Sequence, residues 1–265
     1  MRTATIPLLC AGLLSACATT PSGRSQVMLV DERQAGALGI EAFAQLRDRG
    51  QIARDPRQRA YVDCVASALI AELPAAWRQL DWEVELFVDP SANAFALPGG
   101  KVGVNTGMID LAADQHQLAA VIGHELAHVV YRHGAERMSQ QLVAQAGLSV
   151  AGLLADARSP DNARLLLGAL GAGAQVGVLL PFSRFHETEA DLEGQRLMAR
   201  AGFDPAASLA LWQAMDATGG ARPPTWLSTH PNPGGRLQAL QEELAGSRQL
   251  LAQAREAGRQ PQCRR

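Results

Sequence analysis

The apolar positions of this chain follow two periods. Between residues 31 and 80 they recur at helical spacing, as in "VDCVASALIAEL", a run that ends before Pro74. Residues 82–88, "WEVELFV", alternate instead, with Trp82, Val84, Leu86 and Val88 on one side, and predict a strand. The next stretch, "NAFALPGGKVGVNTGMI" (93–109), predicts two short strands joined at Gly99-Gly100, where a tight turn needs residues tolerant of positive φ. Asp114 followed by Gln117 is a variant capping box. It opens a helix that runs through His128 and stops near Gly134, a residue suited to follow a helix end. A second helix covers 186–202 and ends at Gly202. Residues 205–217 and 236–257 supply two more, the last with Leu237, Leu240, Leu244, Leu250 and Leu251 as apolar positions. The pattern therefore predicts an α+β fold, mostly helical, with a small β-sheet. No repeat of solenoid period is present.

Residues 142–182 depart from this pattern. The stretch "LLLGALGAGAQVGVLLPF" (165–182) is nearly free of charge, and the apolar run 142–155 is separated from it by "DARSPDN". Two apolar helices around a polar turn, packed within the protein, are the simplest expectation. The alternative is a membrane-inserted hairpin, whose first arm is too short to span and whose second is borderline and rich in glycine. Glycines 168, 171, 173 and 177 lower helix stability. A loosely packed hairpin gating substrate entry is the expectation that follows.

Composition narrows the class. The chain has 265 residues, 47% hydrophobic and 19% charged, with a formal net charge of −2. That suffices for a full core, and is too near neutral for a nucleic-acid or acidic-substrate binder. Arg2 precedes the short apolar run "IPLLCAGLL", and Leu14-Ser15-Ala16-Cys17 resembles the lipobox of bacterial lipoproteins. The expectation is a signal peptide at 1–16, a lipid on Cys17 that anchors the chain to a membrane, a flexible tether over 17–30, and one domain over 31–265. The alternatives are a plain secretory signal cut elsewhere and a short buried helix. By the same resemblance, Ala18 in place of aspartate points to the outer membrane of a Gram-negative bacterium, facing the periplasm. Cys10 leaves with the signal peptide and Cys17 takes the lipid. Cys64 and Cys263 remain, in an oxidising compartment, as a disulfide or as two reduced thiols.

The chemistry centres on "VIGHELAHVV" (121–130). His124 and His128 lie four apart, on one face of a helix, where two imidazoles can meet one Zn2+ ion. Glu125 is placed to reach a water on the same metal. Composition alone predicts roughly 0.007 occurrences of this five-residue pattern. The flanking Val121, Ile122, Leu126, Ala127, Val129 and Val130 make the helix apolar around most of its girth, hence buried, and buried histidines need partners. A catalytic zinc takes a third protein ligand and keeps a fourth position open. Glu187 and Asp191, four apart on the second helix, share a face; by spacing alone either is the ligand, and a solvated acidic pair is the plain alternative.

Four stretches, "NAFALPGGKVGVNTGMI", "VIGHELAHVVYRHGAER", "SRFHETEADLEG" and "STHPNPGGRL", together resemble the gluzincin zinc metallopeptidases of the HtpX, Oma1 and CAAX prenyl endopeptidase family, and fit its LoiP-like periplasmic lipoprotein branch. The resemblance implies a zincin-type fold, with the small β-sheet beside the helix that carries His128, and one zinc per chain held by His124, His128 and Glu187. It implies Asp191 behind a ligand histidine, and His230 bordering the catalytic cleft. Glu125 is then the general base of an endopeptidase and His230 the best donor to the oxyanion. The stretch Asn93–Val104 offers an open strand edge for an extended polypeptide, with Asn93, Ala94, Phe95 and Ala96 as candidate substrate contacts. Arg236 is a further candidate that orders the loop after His230. The expected role is removal of misfolded or unassembled envelope proteins. A lipoprotein chaperone or assembly factor with a structural zinc is the competing expectation.

Overall fold

The computed structural model describes residues 17–156, 180–217, 226, 230 and 235–265. In chain order the elements are β1 (Cys17–Thr19), β2 (Ser25–Val27), α1 (Glu32–Arg49), α2 (Pro56–Ala71), α3 (Ala75–Arg78), β3 (Glu83–Phe87), β4 (Ala94–Leu97) and β5 (Lys101–Asn105). Then follow α4 (Thr106–Leu111), α5 (Gln115–Val130), α6 (His133–Asp156), α7 (Leu180–Arg200), α8 (Ala206–Ala217) and α9 (Arg236–Glu256). This is the α+β arrangement that the periodicity predicts. Among the described residues no helix is long and apolar enough to cross a membrane.

The core forms around α5. Leu118, Val121, Ile122 and Leu126 are all fully buried, because a helix apolar round its girth satisfies itself only inside. It is surrounded by α2, α7, α8 and β4. The main sheet has the order β3-β5-β4, with β3 parallel and β4 antiparallel to the central strand. The β4–β5 turn is made by Pro98-Gly99-Gly100, with φ of +87° and +79° at the glycines. A Cβ at Gly99 would also meet the Gly36 carbonyl at 2.8 Å, so α1 rests directly on this turn.

Several local expectations change in three dimensions. The alternation of β3 fails at its end: Phe87 is buried, its ring centroid 6.2 Å from Phe43 and 6.0 Å from Phe95, whereas Val88 is exposed. The cause is α1, which brings Phe43 over the second face of the sheet. The capping box at α5 is displaced by one residue. Asp114 accepts from His116 N and Gln117 N, but Gln117 Oε1 accepts from Ala113 N. The helix ends at Val130 rather than near Gly134, and the left-handed residue is Arg132, with φ +58°. Gly134 lies inside α6, which starts early because His133 and Glu136 are drawn into a buried polar cluster.

The apolar run 142–155 is the far half of α6, which continues unbroken from His133. Residues 157–179, most of the second apolar arm and the gating expectation attached to it lie outside the described residues. The expected flexible tether is partly structured: β1 and β2 pair antiparallel, with Thr20 and Gln26 buried, since their polar groups and Arg24 find partners on α6 and α7. A disulfide joins Cys64 in α2 to Cys263, with Cα atoms 5.7 Å apart. Cys263 N also donates to Gln115 Oε1 at 2.8 Å, fixing the tail against the start of α5.

Candidate active site

The site exists because two helices touch backbone to backbone. On α7 the residues Glu187, Asp191 and Gly194 fall at i, i+4 and i+7, on one face. Gly194 meets α5 so closely that a Cβ there would lie 2.8 Å from His124 N. With no side chain between the helices, the Glu187 carboxylate reaches the two histidines. Its Oε2 is 3.3 Å from His124 Nε2 and its Oε1 is 3.6 Å from His128 Nε2. The two histidine Nε2 atoms are 3.0 Å apart. His230 adds its Nδ1, 3.2 Å from His124 Nε2 and 3.1 Å from Glu187 Oε2. One donor atom from each of these four residues lies within 4.8 Å of all the others.

Electrostatics show what this group of donors favours. Burial alone would raise the Glu187 carboxyl, but hydrogen bonds from His124 and His230 outweigh it and hold the group far below the usual carboxylate range. Burial pulls His124 down, yet the carboxylates of Asp191 and Glu187 carry it up to about 9. His128 goes the other way: burial, and then the positive charge at His124, depress it well below its ordinary value. The cluster thus attracts one positive charge and rejects a second proton. Two imidazoles and a carboxylate around one point are also the donor chemistry that zinc takes. The residues fit a single metal ion held by His124, His128 and Glu187.

A buried frame stands behind these donors. Asp191 Oδ1 accepts from His124 Nδ1 at 3.0 Å, which turns Nε2 toward the cluster. The other Asp191 oxygen accepts from Arg236 Nε, and Arg236 Nη2 donates to Glu187 Oε2 at 3.0 Å. The Arg236 guanidinium lies 3.5 Å from the Trp212 ring centroid. Arg236 is only 2% exposed, so its expected role as a substrate contact is corrected. It is a buried counter-charge for two carboxylates, placed at the first turn of α9. Glu125 is also buried and stands apart from the donor cluster. Its Oε1 accepts from Trp226 Nε1 at 2.8 Å and is 3.3 Å from His230 Nε2. One imidazole ring, His230, therefore belongs to the donor cluster and also touches Glu125.

The edge strand β4 runs past α5. Asn105 N donates to Asn93 O at 3.0 Å, and antiparallel alternation then directs the main-chain groups of residues 93, 95 and 97 into the sheet. Those of Ala94 and Ala96 point the other way, where Ala94 is buried and Ala96 is part-exposed. Phe95 turns its ring to Phe43 and Phe87. Of the four expected contacts, Ala96 is part-exposed and placed to meet an extended chain, whereas Ala94 is 1% exposed, the Asn93 carbonyl is taken by Asn105 and the Phe95 ring by its aromatic neighbours. Among the described residues no strand pairs with that edge; Trp226 N closes it upstream by donating to Ala92 O at 3.1 Å.

Sequence reasoning missed Trp226, Gly194 and His133. Trp226 stacks on Trp212 at 4.9 Å and fixes Glu125, and nothing local signals it. Gly194 was legible as the third member of an i, i+4, i+7 stripe. His133 lies in the motif "HVVYRH", past the end of the helix that carries the ligands.

The pattern of peptidase family M48 matches residues 56–244. The chain is 38% identical to the mitochondrial metalloendopeptidase OMA1 of Schizosaccharomyces pombe over 69% of its own length and 52% of that protein. It is 31% identical to the metalloendopeptidase OMA1 of Homo sapiens, over 83% of this chain and 44% of the relative. It is 30% identical to the beta-barrel assembly-enhancing protease of Escherichia coli, over 89% and 48% respectively. The chain spans about half the length of these relatives. The matched region contains α5 and α7 with His124, Glu125, His128 and Glu187, together with His230, and by this match the chain belongs to peptidase family M48.

Proposed function

We propose that this protein is a zinc-dependent endopeptidase that hydrolyses misfolded or unassembled proteins of the bacterial cell envelope, held at the outer membrane by a lipid on Cys17. The observation that carries the catalytic part is Glu125. It is a buried carboxylate beside a ligand histidine, fixed by Trp226, and it is not itself among the four metal donors. A structural metal site needs no such group. Zinc held by His124, His128 and Glu187 would supply a more acidic water and a Lewis acid for the scissile carbonyl.

The chain's own residues do the rest. Asp191 fixes the His124 tautomer and Arg236 fixes Asp191. Glu125 accepts the proton of the attacking water and returns it to the leaving amine. His230 stands beside the other donors with its Nε2 3.3 Å from Glu125 Oε1, where the ring can donate to the developing oxyanion. The edge of β4 at Ala96 holds the substrate as an added strand through main-chain bonds, which asks little of its side chains and suits unfolded polypeptides. The envelope assignment is supported by the lipobox-like "LSAC" and by the beta-barrel assembly-enhancing relative; the OMA1 relatives are mitochondrial.

One observation favours a second reading. His230 completes a four-donor set, as in a closed structural zinc site, which suits a chaperone or assembly factor. Purified protein of known zinc content, assayed on casein beside Glu125→Gln, separates the two. Glu125→Gln is expected to keep its zinc and lose cleavage by ~10²-fold or more. Equal activity in the two proteins removes Glu125 as the base. No cleavage by either, with both preventing aggregation of unfolded protein, selects the second reading. Cys17→Ser is expected to release the protein from membranes; a variant that is still acylated contradicts the anchor.

A further inference from the structure

The two histidine ligands are supported differently. His124 rests on Asp191, a carboxylate. His128 presents its Nδ1 to another imidazole, at 2.8 Å from His133 Nδ1. The other ring nitrogen of His133 is 3.1 Å from Glu189 Oε2. Glu189 is in turn gripped by the N-terminal hairpin: Arg24 Nη2 donates to its Oε2 at 2.9 Å and Arg24 Nε at 3.1 Å, while Thr20 and Ser22 donate to Oε1. The same guanidinium bonds both oxygens of Glu136, at 2.7 and 2.8 Å. His133 is 3% exposed, and its ring stacks on that of His186 at 4.3 Å, so it has little freedom to turn.

Proton count sets the direction of each bond. His128 turns Nε2 toward the donor cluster, so as a neutral ligand it carries its proton on Nδ1. Only one proton fits between two Nδ1 atoms 2.8 Å apart, and His133 Nδ1 must accept it. His133 then carries its own proton on Nε2 and donates it to Glu189. We propose that His133 is a positioning residue for the metal ligand His128, held in its accepting tautomer by Glu189 and, through Arg24, by the N-terminal hairpin. The site then has two arms of like design, each running from a ligand histidine through a carboxylate to an arginine, with His133 inserted in the second. The place of Arg132 explains how His133 gets there. Its left-handed backbone breaks the helix after Val130 and swings the next residue back beneath His128, where continued helix would carry it away. The inference rests on reading His124, His128 and Glu187 as metal ligands.

The test uses the full chain, titrated with zinc against a chelator, and needs no substrate. His133→Leu is expected to bind zinc about 10–100-fold more weakly than wild type, the usual effect of losing an outer partner. His133→Asn places an amide oxygen near the former Nδ1 and is expected to restore affinity to within a few-fold. Glu189→Gln keeps the shape of the clamp and is expected to cost less than His133→Leu; it carries the test if His133→Leu does not fold. In zinc-loaded wild type, long-range nitrogen–proton correlation spectra are expected to show His128 protonated on Nδ1 and His133 on Nε2. The reverse tautomers, or wild-type zinc affinity in both His133→Leu and Glu189→Gln, overturn the inference and leave the endopeptidase reading standing. A wild-type protein that binds no zinc overturns both. Zinc that weakens as described in a chain that cleaves nothing upholds the inference and removes only the endopeptidase.

Discussion

Gly194→Ala tests the idea that backbone contact between α5 and α7 builds the metal site. The added Cβ would lie 2.8 Å from His124 N and 3.0 Å from both Gly123 C and His124 Cα. Ordinary contact begins at 3.4 Å, so the helices must part by about 3.4 − 2.8 = 0.6 Å. All three opposing atoms are backbone, and no side chain can rotate away to make room. Alanine is the better helix former by roughly 1 kcal/mol, which works in favour of the variant. Overpacking of a closed core costs about 1–3 kcal/mol and works against it. The net expectation is a loss of about 0–2 kcal/mol in the metal-free protein. The effect on the metal is expected to be larger, because ligand distances are defined to about 0.2 Å and Glu187 sits on the helix that moves. Zinc affinity is therefore expected to fall at least tenfold. Urea denaturation of the metal-free protein and chelator competition measure the two quantities. Gly147→Ala is the control, since its Cβ would meet nothing within 4 Å, and it is expected to gain stability with unchanged zinc affinity. A Gly194→Ala protein that binds zinc as tightly as wild type would show that the helices yield, and that the close crossing does not position the ligands.

Three further outcomes follow from the same contacts. Arg236→Met leaves the buried carboxylates of Asp191 and Glu187 without their counter-charge, and is expected to cost about 3–5 kcal/mol in the metal-free protein, with zinc narrowing the gap; equal melting temperatures for metal-free Arg236→Met and wild type would refute this. Replacing Cys64 and Cys263 by serine opens a cross-link between residues 199 apart, and urea denaturation is expected to show a loss of roughly 5 kcal/mol. Burial alone would raise the Glu136 carboxyl, but hydrogen bonds from Arg24 and His186 hold it at about 2. Its folded value is below its ordinary one, so the stability it contributes is present above about pH 4.5 and is lost as pH falls toward 2. Arg24→Met is expected to flatten that part of the stability profile; an unchanged acid slope in the variant argues against the clamp.

What the amino-acid sequence determined by itself is local in character. His124 and His128 share a face because an α-helix repeats every 3.6 residues, and Glu187 and Asp191 share one for the same reason. Gly99-Gly100 marks a turn because only glycine adopts that backbone freely. The burial of α5 was legible because apolar residues surround it. What tertiary structure decided involves distant partners. The sequence left Glu187 and Asp191 open as alternatives until the Gly123–Gly194 contact set the height of α7 against α5. Arg236 read as a loop-ordering contact, because its partners lie 45 and 49 residues away. The hairpin at 17–27 read as a tether because its composition is that of one; its order comes from Arg24 meeting carboxylates 112 and 165 residues further along. Phe87 broke the alternation of its strand because α1 covers a sheet face that the strand alone would leave to solvent. His133 follows His128 by five residues, a spacing that on a continuous helix turns it off the ligand face, and only the left-handed Arg132 brings the two rings together. Hydrophobic periodicity is written residue by residue into the chain, whereas a buried charge is stable only beside a partner that the fold must first deliver.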